Sequence, residues 1–457
     1  MSFLLPLLLI IITLFALGYY WSCKVTNTNQ FFVGNRQFGF ILIAASLLAA
    51  NIGAGTTVGA AGLGYQYGLT AWWWGGSAAI GTLLLTFIVT PKLWQLAKKE
   101  NFLTLGDYIA FAYGKKLQRV LAWVLLLGSL FLLAAQLIAL SYLLSIFTGV
   151  AKEYACIISG LIVVGYSAFG GLFVTARINV LQLIFVFLGF ISAIYFLDFP
   201  INSNVATDNS TSSLAFDWIL LLVPAFMISP GLIQKMYAAK DLRSIYIGGS
   251  VASVLMAAFA FFPAILGMSV WANGIGTQQA EWSLLQGIIS NFPEWLGVLL
   301  LLAITFAELS TCDTIILMAT SSLSVDLLSK YRWYQQLSQN QLLNLNRLFT
   351  IIMMIIGVIL AVGLSSIISA LSIFYTLVVI GFFIPIMNAL FGKKLSERDM
   401  LFIVLASLVG TILFHVASLN LDLIEISTQL FGLMISGLLL ILVYGKNLLR
   451  GKHNTSC

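Results

Sequence analysis

Four residues with oxygen-bearing side chains, Glu308, Ser310, Thr311 and Asp313, fall close together in the otherwise apolar run "AITFAELSTCDTIILMATSSLSVD". On a helix, Ala307, Ser310, Thr311 and Thr314 share one face by i, i+3, i+4 spacing, with Glu308 and Asp313 flanking that face on opposite sides. Hydroxyl oxygens beside a carboxylate suit a hard cation such as sodium. A structural salt bridge to a neighbouring helix is the other reading of the two carboxylates. A second stretch, "AANIGAGTTVGAAGLGY" (49–65), combines Asn51, Thr56 and Thr57 with Gly53, Gly55, Gly59, Gly62 and Gly64. Glycines let a helix unwind, and freed carbonyls can then bind a cation while half-helix ends face a substrate. Close helix packing through Gly55-x-x-x-Gly59 accounts for the same residues. A third stretch, "GYSAFGGLFVTARINVLQ", sets Arg177 and Asn179 in an apolar helix after a tight Gly170-Gly171 connection. Arg177 either snorkels to the inner face or meets Asp313 or Glu308 inside the bundle.

The elements that carry these residues cross a membrane. The chain is 60% hydrophobic and 8% charged, with a mean hydropathy of +1.02, whereas soluble domains carry about 25% charged residues. Apolar runs long enough to span a bilayer occur near 3–22, 38–64, 69–90, 119–147, 154–169, 173–197, 215–236, 244–271, 292–325, 343–364, 367–391, 400–418 and 424–445. The fold class is therefore an all-α polytopic membrane protein of about thirteen transmembrane helices. Residues 3–22 lack the basic start and small-residue cleavage site of a signal peptide and read as a first span. With the N-terminus outside, every Lys and Arg except Lys152 falls on an inner loop or the C-terminal tail, as the positive-inside rule requires. The formal charge of +6 thus marks topology and not nucleic-acid binding. The expected location is an inner or plasma membrane, with the C-terminus cytoplasmic. Cys23, Cys156, Cys312 and Cys457 are scattered and read as free thiols.

The span near 215–236 holds Pro224 and Pro230, so it should be interrupted like the glycine-rich span. Paired broken helices five spans apart are the mark of an inverted-repeat transporter. The reading is one transmembrane transporter domain over 1–457. It comprises an extra N-terminal helix (1–30), a first repeat (36–197), a second repeat (214–391), two C-terminal helices (399–445) and a tail (446–457).

In these features the sequence resembles the sodium:solute symporter family, whose members carry proline, sugars, pantothenate and sialic acid. The motifs are "FFVGNRQFG" (31–39), "AANIGAGTTVGAAGLGY", "YSAFGGL" (166–172), "SPGLIQKMYAAKD" (229–241) and "AELSTCDT" (307–314), in the family's order. The resemblance implies a five-helix inverted-repeat, leucine-transporter-like core with two broken helices. It implies a sodium site made by the carbonyls of Ala49, Ile52 and Ala307 and the hydroxyls of Ser310 and Thr311. Two departures stand out. Asn179 occupies a position where many members have Asp, and Asp313 appears on the neighbouring core helix, with Arg177 as a candidate balancing charge. One sodium per cycle follows, or alternatively a proton carried by Asp313. Glu308 belongs to the same coupling group. The substrate positions implied are Asn51, Gly53, Ala54, Thr56, Trp74, Phe226 and Pro230, together with Gly75 and Leu222, with Phe374 or Tyr375 as an aromatic gate. Such a pocket suits a small, partly apolar solute, including an anion held by half-helix N-termini. The expected function is a sodium-coupled symporter that works as a monomer and imports a small organic solute by alternating access. A proton-coupled transporter, or a ligand sensor or channel on the same fold, is the alternative. No nucleophile–base set, metal triad or phosphate loop supports an enzyme.

Overall fold

A computed structural model describes residues 12–13, 16–167, 171–197, 210–277, 279–418 and 427–453. The expected first span, the loop after residue 197 and Gly170 therefore lie largely outside the described residues. The glycine-rich span is two helices, α1 (Phe40–Asn51) and α2 (Val58–Tyr67). Gly68, at a positive φ of 62°, turns the chain into α3 (Trp72–Leu84), which continues through a π-helical segment to Glu100. Then come α4 (Lys115–Thr148), α5 (Lys152–Ser167) and α6 (Gly171–Tyr195). The next span is also two helices, α7 (Ser210–Met227) and α8 (Pro230–Tyr237). It is followed by α9 (Leu242–Phe259), α10 (Phe261–Ala272), α11 (Glu294–Ser321), α12 (Gln339–Gly363), α13 (Ile367–Phe391), α14 (Glu397–Ser418) and α15 (Thr428–His453). Among the described residues, ten helices are long and apolar enough to cross a membrane, with Phe40–Asn51 a shorter apolar helix beside them.

The two broken helices occupy the centre. α1 packs on α9, α2 on α10 and α7 on α3, while α4 and α11 pack on each other and on α13 and α6 respectively. Small residues set the approach distances, as expected where van der Waals contact rather than water exclusion holds helices together. A Cβ on Gly75 would sit 2.7 Å from that of Ala260, and one on Gly189 would sit 2.6 Å from that of Ala303. The outer helices turn large apolar side chains away from the protein. Ile355 and Ile359 do so on α12, and Phe402, Val409 and Leu413 on α14. So wide an apolar belt is a lipid-facing surface, and the chain is a multi-pass membrane protein.

Each break has a separate physical cause. At the first, Ile52 and Gly53 are extended, and Thr56 and Thr57 satisfy what the helix gives up. Thr56 Oγ1 accepts from Gly53 N–H at 3.0 Å and donates to Asn51 O at 2.9 Å, and Thr57 Oγ1 donates to Gly53 O at 2.9 Å. At the second, Pro230 forces the preceding Ser229 out of the helical region, and Ser229 caps α8 through a 3.5 Å bond from Leu232 N–H. Pro224, expected to help break this span, instead lies inside α7. The start of the first broken span is tied to the end of the second by a bridge: Phe38 N–H donates to Ala238 O at 2.9 Å and Lys240 N–H to Phe38 O at 3.1 Å. Arg36 reinforces the tie through Tyr237 O and Phe102 O at 3.2 and 2.7 Å.

Candidate functional site

The oxygens expected to hold a cation meet at the first break. Ser310 Oγ shares its one proton between Ala307 O at 2.9 Å and Ala49 O at 3.2 Å. Thr311 Oγ1 reaches Ala49 O at 3.0 Å and Ile52 O at 2.9 Å. All of these residues are buried. The donor set is neutral oxygen throughout, and the Ala49 and Ile52 carbonyls are available because α1 ends there. A hydroxyl that now donates to a carbonyl turns its lone pair inward when a hard cation enters, so the set fits such an ion. Among the described residues no cluster of His, Cys, Asp and Glu has the make-up of a transition-metal site.

The carboxylates divide. Glu308 is fully buried, with Oε1 2.9 Å from Thr57 Oγ1, which shares its one proton between Glu308 and Gly53 O, and with Oε2 meeting no hydrogen-bond partner among the described residues. It braces the start of α2. Asp313 is buried on the other flank and acts electrostatically on Lys235. Lys235 corrects the sequence reading. It was placed on an inner loop, but it is 2% exposed, with Nζ donating to Ser46 O at 2.7 Å. Arg177 is not brought to Asp313 or Glu308. Its guanidinium donates to Phe173 O and lies 3.8 Å over the Phe173 ring. Asn179 and Gln182 lie one turn apart on α6, and neither amide has a hydrogen-bond partner among the described residues.

Between the breaks lies a central cavity with about 50 Å³ for the centres of water-sized molecules. Of the expected substrate residues, Asn51, Gly53, Thr56, Phe226, Phe374 and Tyr375 line it. Trp74 does not. It backs the wall, its ring centroid 6.4 Å from that of Tyr375 and 6.1 Å from that of Trp218. Gly75 faces Ala260 and Leu222 is buried in the apolar core. Pro230 lines a smaller cavity beyond Met318. Ala54 contributes its backbone, donating to Gln136 Oε1 at 2.8 Å. Thr314, on the face shared with Ser310 and Thr311, lines the central cavity too, as do Gln136 and Ser229, which the sequence reading does not name as solute residues. A lone Gln among Leu and Ala of α4 was the available signal for Gln136, since polar residues at membrane depth are costly. Phe374 and Tyr375 stand together at 5.3 Å, with Phe226 also 5.3 Å from Tyr375.

Two other cavities lie among the described residues on either side of the central one. A larger one, about 440 Å³ by the same measure, is lined by Gly59, Gln66, Trp218, Glu281 and Ser366. The smallest, about 10 Å³, holds Gln118, Gln234, Ser321 and Asp326. Glu281 closes over the first by accepting from the Ile367 and Ile368 N–H groups at 3.0 and 3.1 Å, which caps α13. Asp326 draws the second shut, accepting from Thr104 Oγ1 at 2.6 Å and Gln118 Nε2 at 3.1 Å.

Residues 31–207 match the model of the sodium:solute symporter family. The Escherichia coli sodium/pantothenate symporter is 31% identical over 189 residues, covering 37% of this chain and 36% of that protein. The human high-affinity choline transporter is 29% identical over 175 residues, 38% of this chain and 30% of that one. The Drosophila melanogaster choline transporter aligns at 24% over 400 residues, 80% of this chain and 62% of its own length. The first two alignments thus span about a third of each relative. In fold the agreement is longer. A sodium-coupled sialic acid symporter in a substrate-bound outward-open state superposes with a TM-score of 0.80 at 16% identity, over 96% of both chains. A nucleobase-cation-symport-1 family transporter in a closed conformation gives 0.58 at 13% identity, over 90% and 92%. By sequence over residues 31–207 the chain resembles the sodium:solute symporter family, and over nearly its whole length it has the fold of sodium-coupled transporters of this architecture.

Proposed function

We propose that this protein is a sodium-coupled symporter that moves a small organic solute by alternating access. The observation that carries the reading is the oxygen set at the first break, whose Thr311 also lines the central cavity. A cation there holds α1 to α11 and shapes one wall of the solute site, so the two ligands favour the same arrangement of the same helices. Ala49, Ile52, Ala307, Ser310 and Thr311 hold the sodium. Gly53, Thr56, Phe226, Phe374 and Tyr375 face the solute, with Trp74 supporting Tyr375.

One sodium moves per cycle. The buried Lys235 amine, within electrostatic reach of Asp313 and bonded to Ser46 O, occupies the space a second mobile cation would need. The two repeats, 36–197 and 214–391, are supported by the matched packing of α1 on α9 with α7 on α3, and of α4 on α13 with α11 on α6. The sequence places the larger cavity outside and the smallest inside, so the chain stands with its inner path the more tightly closed. The cation and solute positions named above all come from one chain, which supports a monomer as the working unit.

The test compares the melting temperature in sodium and in potassium at equal ionic strength, with Ser310→Ala alongside. An ion that binds only the folded state stabilises by roughly 2.7 kcal/mol at a hundredfold excess over Kd. A sodium-specific rise that is lost in the variant supports the reading, and no rise contradicts it.

A further inference from the structure

The central cavity has no charged residue in its wall, and most of its polar groups already have partners. Thr56 Oγ1 donates to Asn51 O, Thr311 Oγ1 to Ala49 O and Ile52 O, and Thr314 Oγ1 to Ser310 O. Gln136 differs. It is 1% exposed, and its Oε1 accepts the Ala54 N–H, a donor that the break in the helix had freed. That bond fixes which end of the amide is which, because a backbone N–H needs an acceptor. Nε2 is then the other end, on the cavity wall, and it has no hydrogen-bond partner among the described residues. An N–H pair that faces the cavity with no protein acceptor among the described residues is open to a ligand oxygen. Asn51, another residue of the cavity wall, has its Oδ1 buried without a donor among the described residues, its Nδ2 being held by Thr82 Oγ1 at 3.0 Å.

We propose that Gln136 is the solute-binding anchor. Its Nε2 takes an acyl oxygen, a carboxylate or an amide carbonyl, of a small solute whose neighbouring hydroxyl or amine hydrogen goes to Asn51 Oδ1. The apolar remainder lies against Phe226, Phe374 and Tyr375. The inference rests on the symport reading above and names the substrate class of that site. Gln136 also explains how the solute couples to the cation. A Cβ built on Gly53 would stand 2.7 Å from Gln136 Oε1 and 2.5 Å from Thr311 Oγ1, so the anchor and a cation hydroxyl meet over one bare α-carbon. A solute drawn to Nε2 tightens the hold of Oε1 on Ala54, next to the Ile52–Gly53 turn that presents the cation carbonyls. By linkage, sodium raises solute affinity by the same factor as solute raises sodium affinity.

The test uses purified full-length protein in detergent, read by thermal shift in sodium and in potassium. The probes are lactate, proline and pantothenate, which carry acyl oxygens, and choline, which carries a hydroxyl and a cation but no acyl oxygen. In the wild type at least one acyl probe adds a sodium-dependent shift and choline adds none. Gln136→Glu keeps an acceptor for Ala54 and exchanges the donor for an anionic oxygen. It retains the sodium shift and weakens the acyl probe by more than about tenfold. Gln136→Met carries the same test if the glutamate variant does not fold: it keeps the length, lacks both amide atoms and loses the acyl response. An undiminished acyl shift in a folded variant overturns the anchor. A wild type that responds only to choline, or to none of the probes while still responding to sodium, overturns the substrate class. A wild type with no sodium shift overturns the symport reading itself, and the anchor with it.

Discussion

The two helix breaks sit side by side at the centre of the protein, yet one collects oxygens and the other does not. The first, at Ile52–Gly53, is made by glycine, and every backbone N–H survives. Threonine hydroxyls take up the loose groups nearby, while the Ala49 and Ile52 carbonyls remain pointed at Ser310 and Thr311. The second, at Ser229, is made by proline. Ring and cap finish the helix end locally, and the break contributes chiefly wall: Phe226, Ser229, Gly231 and Leu232. Its chemistry is displaced nearly two turns on, to Lys235, which reaches back to Ser46 on the other broken span. A break made by removing a side chain exposes backbone, whereas a break made by removing a donor closes it.

The contrast can be broken most completely at Gly53. An added methyl would meet Thr311 Oγ1 and Gln136 Oε1 at 2.5 and 2.7 Å. Gly53→Ala is therefore expected to abolish both sodium-dependent stabilisation and transport, read by thermal shift and by uptake into proteoliposomes. Thr311→Ala removes the hydroxyl that touches both broken-span carbonyls and is expected to weaken sodium binding by more than about tenfold, with Ser310→Ala somewhat less severe. Lys235→Met sharpens the comparison in the other direction. Without the Lys235 amine, the space beside Asp313 is open to a mobile cation, and the Hill coefficient for sodium should rise from about one towards about two. The smallest effect is at the proline break itself. Ser229→Ala loses a cap and should cost about 0.5–2 kcal/mol in thermal stability while leaving sodium dependence intact.

The spans, the interrupted pair and the hydroxyl couple on α11 were legible in the sequence because each rests on local chemistry: hydropathy over a bilayer's length, glycine and proline inside apolar runs, and i, i+3, i+4 spacing. What could not be read depends on contacts between distant segments. Lys235 falls near the end of a span, where basic residues ordinarily mark an inner loop. Only the fold shows α8 turning it inward against Ser46. Arg177 reads from the sequence as either snorkelling to the inner face or meeting Asp313 or Glu308, and the Phe173 carbonyl and ring one turn away hold it instead. Trp74 was expected in the solute wall from its place in the chain, and the fold puts Tyr375 in front of it. Gln136 was passed over because one amide in a long apolar helix carries no pattern, and its role depends on Ala54, far away in sequence.

The account stands or falls on whether the first break and α11 hold one sodium ion. Equilibrium binding of radiolabelled sodium to the purified protein, measured for the wild type and for Thr311→Ala, tests this directly. If the site is as described, sodium binds saturably at about one ion per chain, is displaced by unlabelled sodium but not by potassium, and its binding is lost in the variant. Saturable binding that survives Thr311→Ala, or no saturable binding at all, would contradict it.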